Sequence, residues 1–145
     1  RAFKMSVTMN VTAIVENLKI EEGYRGRPYH CSAGHLTIGY GRNVDKSGLG
    51  ISEDEAEYLL KNDVNRTIDE VRQRWPWFDD CDKAAREVMI ELCFQLGAPR
   101  LSAFKKMLAG LEAGDNDIAA FELLDSKFAK QVPARAARLH KRLTD

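Results

Sequence analysis

The chain has 145 residues, 22 acidic and 22 basic side chains, and a hydrophobic content of 44%. This length and composition predict one soluble domain with a substantial core. The balanced charge argues against a dedicated nucleic-acid-binding protein, because such proteins need a basic surface to displace counterions. No apolar run approaches the roughly 18 residues of a membrane-spanning helix, so no membrane span is expected.

The first ten residues carry Arg1 and Lys4 but lack the apolar core of a secretory signal. We interpret residues 1–10 as a flexible leader or an added remnant. The domain is expected to occupy residues 11–145, which contain no internal repeat and no low-complexity linker.

The first predicted helix runs from about Val11 to Glu22 and ends at Gly23, a residue suited to a left-handed cap. Glu22 therefore lies in the last turn, where exposed carbonyl groups disfavour a negative charge. Its carboxyl group is biased toward the protonated form, which a general acid near neutral pH requires. A lone glutamate beside Glu21 is nevertheless most often a solvated surface residue.

Two short strands are predicted after this helix, over Pro28–Cys31 and Leu36–Tyr40, on either side of the turn 32–35. The first strand ends on a thiol and the second carries a hydroxyl group. Together with the carboxyl group at the helix end, these reactive side chains would face one small space. Several glycines in this region would let a ligand approach the backbone closely.

The longest predicted helix covers Ile51–Arg74. Ser52 and Glu55 form a capping box at its start, and Pro76 ends it. About 23 residues give a rod of roughly 34 Å, so we expect a strut between two lobes. The acid-rich first turn is interpreted as solvent-facing rather than metal-binding.

Shorter helices separated by Gly and Pro are predicted for the rest of the chain. Trp75 and Trp77, which precede them, are interpreted as hydrophobic seals rather than sugar-binding platforms. Gln95 is the odd polar residue on an apolar helix, and it either satisfies a buried backbone group or faces a cleft. The expected helices are Asp82–Leu96, Ser102–Leu111, Asp115–Leu124 and Pro133–Leu143.

Three cysteines form an odd set, which is poor evidence for a disulfide framework. If Cys81 and Cys93 lie on one helix, they are roughly 18 Å apart, which is too far for a disulfide. We therefore expect free thiols, with Cys93 packed in the core.

The combination of Glu22, Cys31 nine positions later and Thr37 six positions further resembles the catalytic signature of phage-type lysozymes, glycoside hydrolase family 24. The motif continues as Thr37-Ile38-Gly39-Tyr40-Gly41. One departure is Arg42, which stands where many relatives have His, so a His-based ion pair is not expected here. Three further segments resemble the family in the same order, namely Ile51–Glu57, Phe94–Gly97 and Pro133–Ala136.

The resemblance implies an α+β, mainly helical, lysozyme-like fold with two lobes. A small lobe with a β-hairpin would occupy about 11–51, a connecting helix 52–74 and a helical lobe 75–145. We expect a monomer that needs no cofactor and no metal ion.

The resemblance also implies a role for each site residue. Glu22 would be the general acid, and Thr37 would help to hold the attacking water. Cys31 occupies a position that is usually Asp, and it is a base, a group that positions the water, or a spectator. Gln95 would contact substrate, and Arg135 would pair with the catalytic glutamate.

The implied activity is hydrolysis, with inversion, of β-1,4 bonds between N-acetylmuramic acid and N-acetylglucosamine in bacterial peptidoglycan. The protein would be a phage endolysin, or a virion or prophage lysozyme. It would reside in the host cytoplasm before release and then act on the cell wall in the periplasm, lysing the cell. The alternatives are a non-catalytic peptidoglycan-binding module and a structural or partner-binding helical domain. The basic segment Lys127–Arg142 is either a solvated face or a surface attracted to the anionic envelope.

Two other chemistries compete for the turn between the strands. His30, Cys31 and His35 suggest a zinc site, but this run lacks a fourth ligand at metal-site spacing. Cys31 and His35 would also suit a nucleophile pair, but no neighbouring carboxylate or amide is evident to orient the histidine. We rank both below the hydrolase.

Overall fold

The computed structural model describes residues 7–145, so most of the predicted leader lies outside the described residues. Within that range the chain is mainly helical and has one small antiparallel sheet, which confirms the predicted fold class. None of the described helices has the length and apolarity needed to cross a membrane. In chain order the elements are α1 Val11–Glu22, β1 Arg25–His30, β2 Leu36–Gly39, β3 Arg42–Asn43, α2 Glu53–Arg74, a 3-10 turn Phe78–Asp80, α3 Lys83–Leu96, α4 Ala98–Ser102, α5 Lys105–Glu112, α6 Asn116–Leu124, α7 Lys127–Gln131 and α8 Pro133–Thr144.

The chain divides into two compact units, of which one ends at Ala56 and the other spans Glu57–Asp145. The boundary falls inside α2. The division into a small lobe, a connecting helix and a helical lobe therefore remains a prediction.

The sheet of the first unit has the strand order β1-β2-β3, and both pairings are antiparallel. Its register places Thr37 opposite Tyr29 on one side and opposite Asn43 on the other. The two predicted strands exist, although β1 begins at Arg25 and stops one residue before Cys31. Pro28 is tolerated in β1 because this strand lies at the sheet edge. Sequence periodicity missed β3 because two residues are too few to show alternation.

Helix α1 begins and ends at the residues that local chemistry favours. The Asn10 side chain accepts a hydrogen bond from the Ala13 N–H at 3.0 Å, which caps the helix start. Gly23 has φ +69°, and its N–H donates to the Lys19 carbonyl at 3.0 Å. The predicted glycine cap is confirmed, and Glu22 is the last residue of the helix.

The start of α2 is a capping box joined to an ion pair. The Ser52 N–H donates to Glu55 Oε1 at 2.9 Å, and the Glu55 N–H donates to Ser52 Oγ at 3.3 Å. Arg42 donates to Glu55 Oε1 at 2.8 Å and to the Gly50 carbonyl at 2.9 Å, and its other terminal nitrogen lies 2.6 Å from Glu55 Oε2. Arg42 and Ser52 together lower the pKa of Glu55 to about 2. The predicted capping box is confirmed, but the prediction that the acidic first turn faces only solvent was wrong for Glu55.

The hydrophobic core of the described chain lies in the second unit. It is built from the end of α2, from α3 and from the helices that follow, with Val71, Val88, Met89 and Leu92 fully buried. Trp75 is buried in this core and Trp77 packs against it, which confirms their interpretation as hydrophobic seals. Further core residues are Phe78, Ala85, Leu101, Met107, Leu111, Ala119, Ala120, Leu123, Ala136, Leu139 and Leu143.

All three cysteines lie in the described part of the chain and are free thiols, as predicted. Cys93 is buried in the core, as expected. Cys81 lies before α3 rather than on it, and its thiol donates to the Leu111 carbonyl at 3.5 Å. Burial raises the pKa of both core thiols.

The helices of the second unit depart from the prediction around Pro99 and around Ala103. The expected helix Ser102–Leu111 is interrupted at Ala103 and Phe104, so that Ser102 ends α4 and Lys105 begins α5. Pro99 was expected only to end α3 together with Gly97. It also lies in the first turn of α4, where its missing N–H costs no hydrogen bond.

The basic segment Lys127–Arg142 is more structured than predicted. It contains the additional helix α7, which begins after the cap residue Ser126. Arg142 donates to Glu87 at 3.2 Å and also pairs with Glu91, so it joins α8 to α3 rather than lying free in solvent.

Protonation of Glu55 is expected to weaken the first unit at low pH. The pKa of Glu55 is about 2 in the folded chain, against an ordinary value of 4.5. A carboxyl group whose pKa is lowered by folding stabilises the folded chain fully at pH values above its ordinary pKa. This stabilisation is lost as the pH falls toward the folded-state pKa. The difference in melting temperature between the parent chain and Glu55→Gln, followed by circular dichroism, should therefore shrink through this interval. Glu53→Gln is the control at an exposed position of the same turn, and an equal difference above and below the interval would contradict the prediction.

Candidate active site

Thr37 occupies the centre of the small sheet. It lies on the middle strand, where a β-branched residue fits well, and it is only 3% exposed. Its hydroxyl group donates to the His35 carbonyl at 2.8 Å. This hydroxyl has one hydrogen, which either the His35 carbonyl or a Cys31 thiolate can accept, and the lone pairs of its oxygen remain able to accept a hydrogen bond.

The turn between β1 and β2 is closed by backbone hydrogen bonds. The Cys31 N–H donates to the His35 carbonyl at 2.9 Å, and the Gly34 N–H donates to the Cys31 carbonyl at 2.8 Å. Gly34 has φ +84°, a conformation that residues with a side chain rarely adopt. The His35 carbonyl thus accepts hydrogen bonds from both Cys31 and Thr37.

The Cys31 thiol is half-buried and faces hydrogen-bond donors. Backbone N–H groups of His35 and Ala33 contribute most to lowering its pKa, and desolvation opposes them. The Thr37 hydroxyl and the Gly34 N–H lower the pKa further. Successive backbone N–H groups of this kind form a concave site that favours an anion, here the thiolate.

The Glu22 carboxylate lies against the backbone at Gly41, just after β2. A Cβ atom added to Gly41 would be 2.9 Å from Glu22 Oε2 and 3.2 Å from its Cδ. Gly41 also has φ +80°, so the turn and the close approach both require glycine here. The end of α1 and the end of β2 are therefore brought together at this glycine.

An aromatic pair flanks the same contact. The Tyr24 and Tyr40 rings are 5.8 Å apart between centroids, and the Lys19 ammonium lies 5.9 Å from the Tyr40 centroid. Both tyrosines remain largely exposed. The two rings are tilted relative to each other, as aromatic pairs favour. Tyr24 follows Glu22 by two residues, and Tyr40 directly precedes Gly41.

The first unit therefore contains the three predicted catalytic residues. Cys31 and Thr37 are in contact, while the Glu22 carboxylate, from the end of α1, lies against the turn that follows the Thr37 strand. Their catalytic roles remain predictions.

Gln95 and Arg135 belong to the second unit. Gln95 is exposed near the end of α3, which does not favour a role in satisfying a buried backbone group. Arg135 lies in the first turn of α8, and its buried Nε has no hydrogen-bond partner among residues 7–145. A buried donor without a partner is costly to the folded state. Its pairing with the catalytic glutamate remains a prediction.

The zinc and nucleophile-pair alternatives can be examined at the same turn. Across residues 7–145, no three His, Cys, Asp or Glu side chains converge as a metal site would require. His35 does have a carboxylate neighbour, since its Nδ1 lies 3.4 Å from Asp45 Oδ2, so the expectation that no orienting group is present was wrong. The pKa of the Cys31 thiol is nevertheless lowered by backbone groups and Thr37 rather than by the imidazole, which does not favour a Cys-His pair.

Sequence reasoning missed Asp45, whose carboxylate also accepts the Leu36 N–H at 2.8 Å. A local signal was available, because an Asn side chain often hydrogen-bonds the backbone two residues later and forms a turn. The Asp45 N–H does donate to Asn43 Oδ1 at 3.0 Å. This signal indicates a turn, but it does not reveal what the carboxylate touches.

Comparisons with known proteins place these residues in a family context. A family model described as "Phage lysozyme" matches residues 19–143 of the chain. The chain is also 27% identical to "Probable T4-type lysozyme 2" of Dictyostelium discoideum over an alignment of 156 positions, which covers 89% of this chain and 92% of the relative. The family match includes all five predicted site residues.

The Cys31 thiol should react with iodoacetamide at a lower pH than an ordinary cysteine, because backbone donors stabilise its thiolate. Alkylation followed against pH by peptide mass spectrometry would resolve each cysteine, with buried Cys81 and Cys93 as internal controls. Thr37→Val keeps the side-chain shape but removes the hydroxyl, so it should move the Cys31 profile to higher pH. Two results would contradict this account. In one, Cys31 of the parent chain reacts over the same pH range as an ordinary thiol. In the other, Thr37→Val leaves the Cys31 profile unchanged.

Proposed function

The chain belongs to the phage lysozyme family, and from this premise we propose that it hydrolyses the β-1,4 bond between N-acetylmuramic acid and N-acetylglucosamine in bacterial peptidoglycan. Family membership supports a lysozyme-type hydrolase of peptidoglycan. The observation that carries the finer proposal is the arrangement of the first unit. The Cys31 backbone N–H and the Thr37 hydroxyl both donate to the His35 carbonyl, and the Glu22 carboxylate lies against the turn that follows β2.

Glu22 is proposed as the general acid. Its carboxyl group would donate a proton to the leaving glycosidic oxygen as the sugar bond breaks. The carboxyl group lies beside Gly41, where the lack of a Cβ atom leaves room for it. Proton transfer needs the acid within hydrogen-bond reach of the leaving group.

Thr37 and Cys31 are proposed to hold and activate the attacking water. Whether the Thr37 hydrogen is donated to the His35 carbonyl or to the thiolate, the Thr37 oxygen can accept a hydrogen bond from the water. The Cys31 thiolate would take the other water hydrogen as the oxygen attacks the anomeric carbon from the opposite face. One turnover leaves Glu22 ionised and Cys31 protonated, and exchange with solvent restores both groups. A single displacement of this kind inverts the anomeric centre.

The biological setting is proposed from the resemblance rather than from the site. We place the protein in the bacterial host cytoplasm before release, as a monomeric endolysin or a virion or prophage lysozyme that then lyses the cell from the periplasm. A similar protein named as a probable T4-type lysozyme occurs in Dictyostelium, so family membership by itself does not imply a phage origin. Lysis of host cells on expression together with a membrane-permeabilising protein, but not without one, would support this setting.

Glu22→Gln should abolish the loss of turbidity of a peptidoglycan suspension, because the amide cannot donate the proton. We expect the rate to fall by about a hundredfold or more, the usual contribution of a general acid. Glu21→Gln is the matched control, since Glu21 is exposed on the same helix turn. The assay should include identification of the product anomer.

Two results would contradict the assignment of Glu22. Equal activities of Glu22→Gln and Glu21→Gln would remove its role as the acid. Binding of peptidoglycan without release of reducing ends by the parent chain would instead favour the non-catalytic binding module.

Replacement of Cys31 separates its three proposed roles. If the thiolate is the base, Cys31→Asp should retain or improve turnover, because a carboxylate is ionised at neutral pH. Cys31→Ala should then lose most activity, and Cys31→Ser should be intermediate or poor. Rates of reducing-end release, compared at equal folded fraction, would decide between the roles. Three variants that all match the parent would make Cys31 a spectator.

A further inference from the structure

Asp45 is bonded to the turn that carries Cys31 and Thr37, although it lies well outside the catalytic motif. Its Oδ2 accepts the Leu36 N–H at 2.8 Å and lies 3.4 Å from His35 Nδ1. The Leu36 N–H belongs to the same peptide group as the His35 carbonyl. Asp45 therefore binds the N–H of the peptide group whose carbonyl oxygen accepts hydrogen bonds from Cys31 and Thr37.

The acceptor end of this peptide fixes both the thiol-bearing residue and the hydroxyl. The His35 carbonyl accepts the Cys31 N–H at 2.9 Å and the Thr37 hydroxyl at 2.8 Å. An anion at the N–H end polarises the peptide and makes its carbonyl oxygen a better acceptor. The carboxylate of Asp45 thus acts on both hydrogen bonds through a single peptide group.

The Asp45 carboxylate is itself held by the loop after β3. The Asp45 N–H donates to Asn43 Oδ1 at 3.0 Å, and its carbonyl accepts the Gly48 N–H at 2.9 Å. The neighbouring Val44 N–H donates to the Leu36 carbonyl at 2.8 Å, which joins the loop to β2. The carboxylate is therefore aimed by its own backbone contacts and not only by the bond to Leu36.

We propose that Asp45 is a positioning residue of the active site, acting through the His35–Leu36 peptide on the orientation of Thr37 and Cys31. The inference rests on the proposed function, since it assigns these two residues to the attacking water. Asp45 need not touch the substrate, because its contacts are with the backbone N–H of Leu36 and the imidazole of His35. Its loss should therefore affect turnover more than substrate binding.

The first test is steady-state kinetics of Asp45→Ala and Asp45→Asn on purified peptidoglycan. Asp45→Ala removes the acceptor and should lower kcat by about tenfold, because small misplacements of reacting groups have large effects on rate. KM should stay within about twofold of the parent. Asp45→Asn keeps an oxygen acceptor without the charge and should recover part of kcat. Asp69→Ala and Asp69→Asn, at an exposed position of α2, control for the loss of a carboxylate.

The second test does not require hydrolysis. Asp45→Ala should change the rate of Cys31 alkylation at neutral pH by about threefold or more, because the donors around the thiol lose their fixed geometry. Asp45→Asn should lie closer to the parent, and the melting temperature of each variant would establish that it is folded at the assay temperature.

The outcomes separate this inference from the proposed function. Unchanged kcat and unchanged Cys31 alkylation in folded Asp45→Ala would overturn the positioning role. A loss of activity no larger than the loss of folded protein would overturn it as well. A parent chain that fails to cleave peptidoglycan would overturn the proposed hydrolase. In that case the alkylation rates would still decide whether Asp45 orders the turn.

Discussion

The peptide group between His35 and Leu36 is the constraint on which the candidate site depends. Its carbonyl accepts the Cys31 N–H and the Thr37 hydroxyl, and its N–H is bound by Asp45. One rigid peptide plane thereby holds the backbone of Cys31 and the hydroxyl group of Thr37, which are six positions apart in the chain. The N–H and the carbonyl of a peptide group cannot rotate independently. Loss of the Asp45 hydrogen bond to the N–H should therefore also change the orientation of the carbonyl.

A second constraint is the close contact of Glu22 with Gly41. The missing side chain of the glycine leaves room for the carboxylate, while the positive φ turns the chain from β2 into β3. Arg42, the next residue, is bonded to Glu55 and to the Gly50 carbonyl. The same short segment therefore lies beside the proposed acid and also anchors the start of α2.

The thiol at position 31 changes the chemistry expected of the family motif. A carboxylate is ionised at neutral pH without assistance, whereas an ordinary thiol is mostly protonated. The backbone N–H groups of His35 and Ala33 lower the pKa of Cys31 and so favour the thiolate. The turn thus favours a negative charge on Cys31, which an Asp at this position would carry at neutral pH without such help. The same N–H groups would be available to either side chain, which is why Cys31→Asp is a conservative change in this setting.

The amino-acid sequence by itself determined the features that depend on near neighbours. Caps at Gly23 and Ser52 and the two main strands were predicted because each depends on contacts within a few residues. Glu22, Cys31 and Thr37 were singled out because their spacing resembles a family motif. The interruption at Ala103 and Phe104 and the short helix α7 were missed, because helices of five residues leave almost no periodic pattern.

Only the tertiary structure decided which distant residues meet. Leu36 and Asp45 are nine residues apart, and Arg42 and Glu55 are thirteen apart. Their contacts depend on how the intervening loops close, which no local propensity specifies. The role inferred for Asp45 therefore could not have been proposed from the sequence, whereas the roles of the three motif residues were proposed from it.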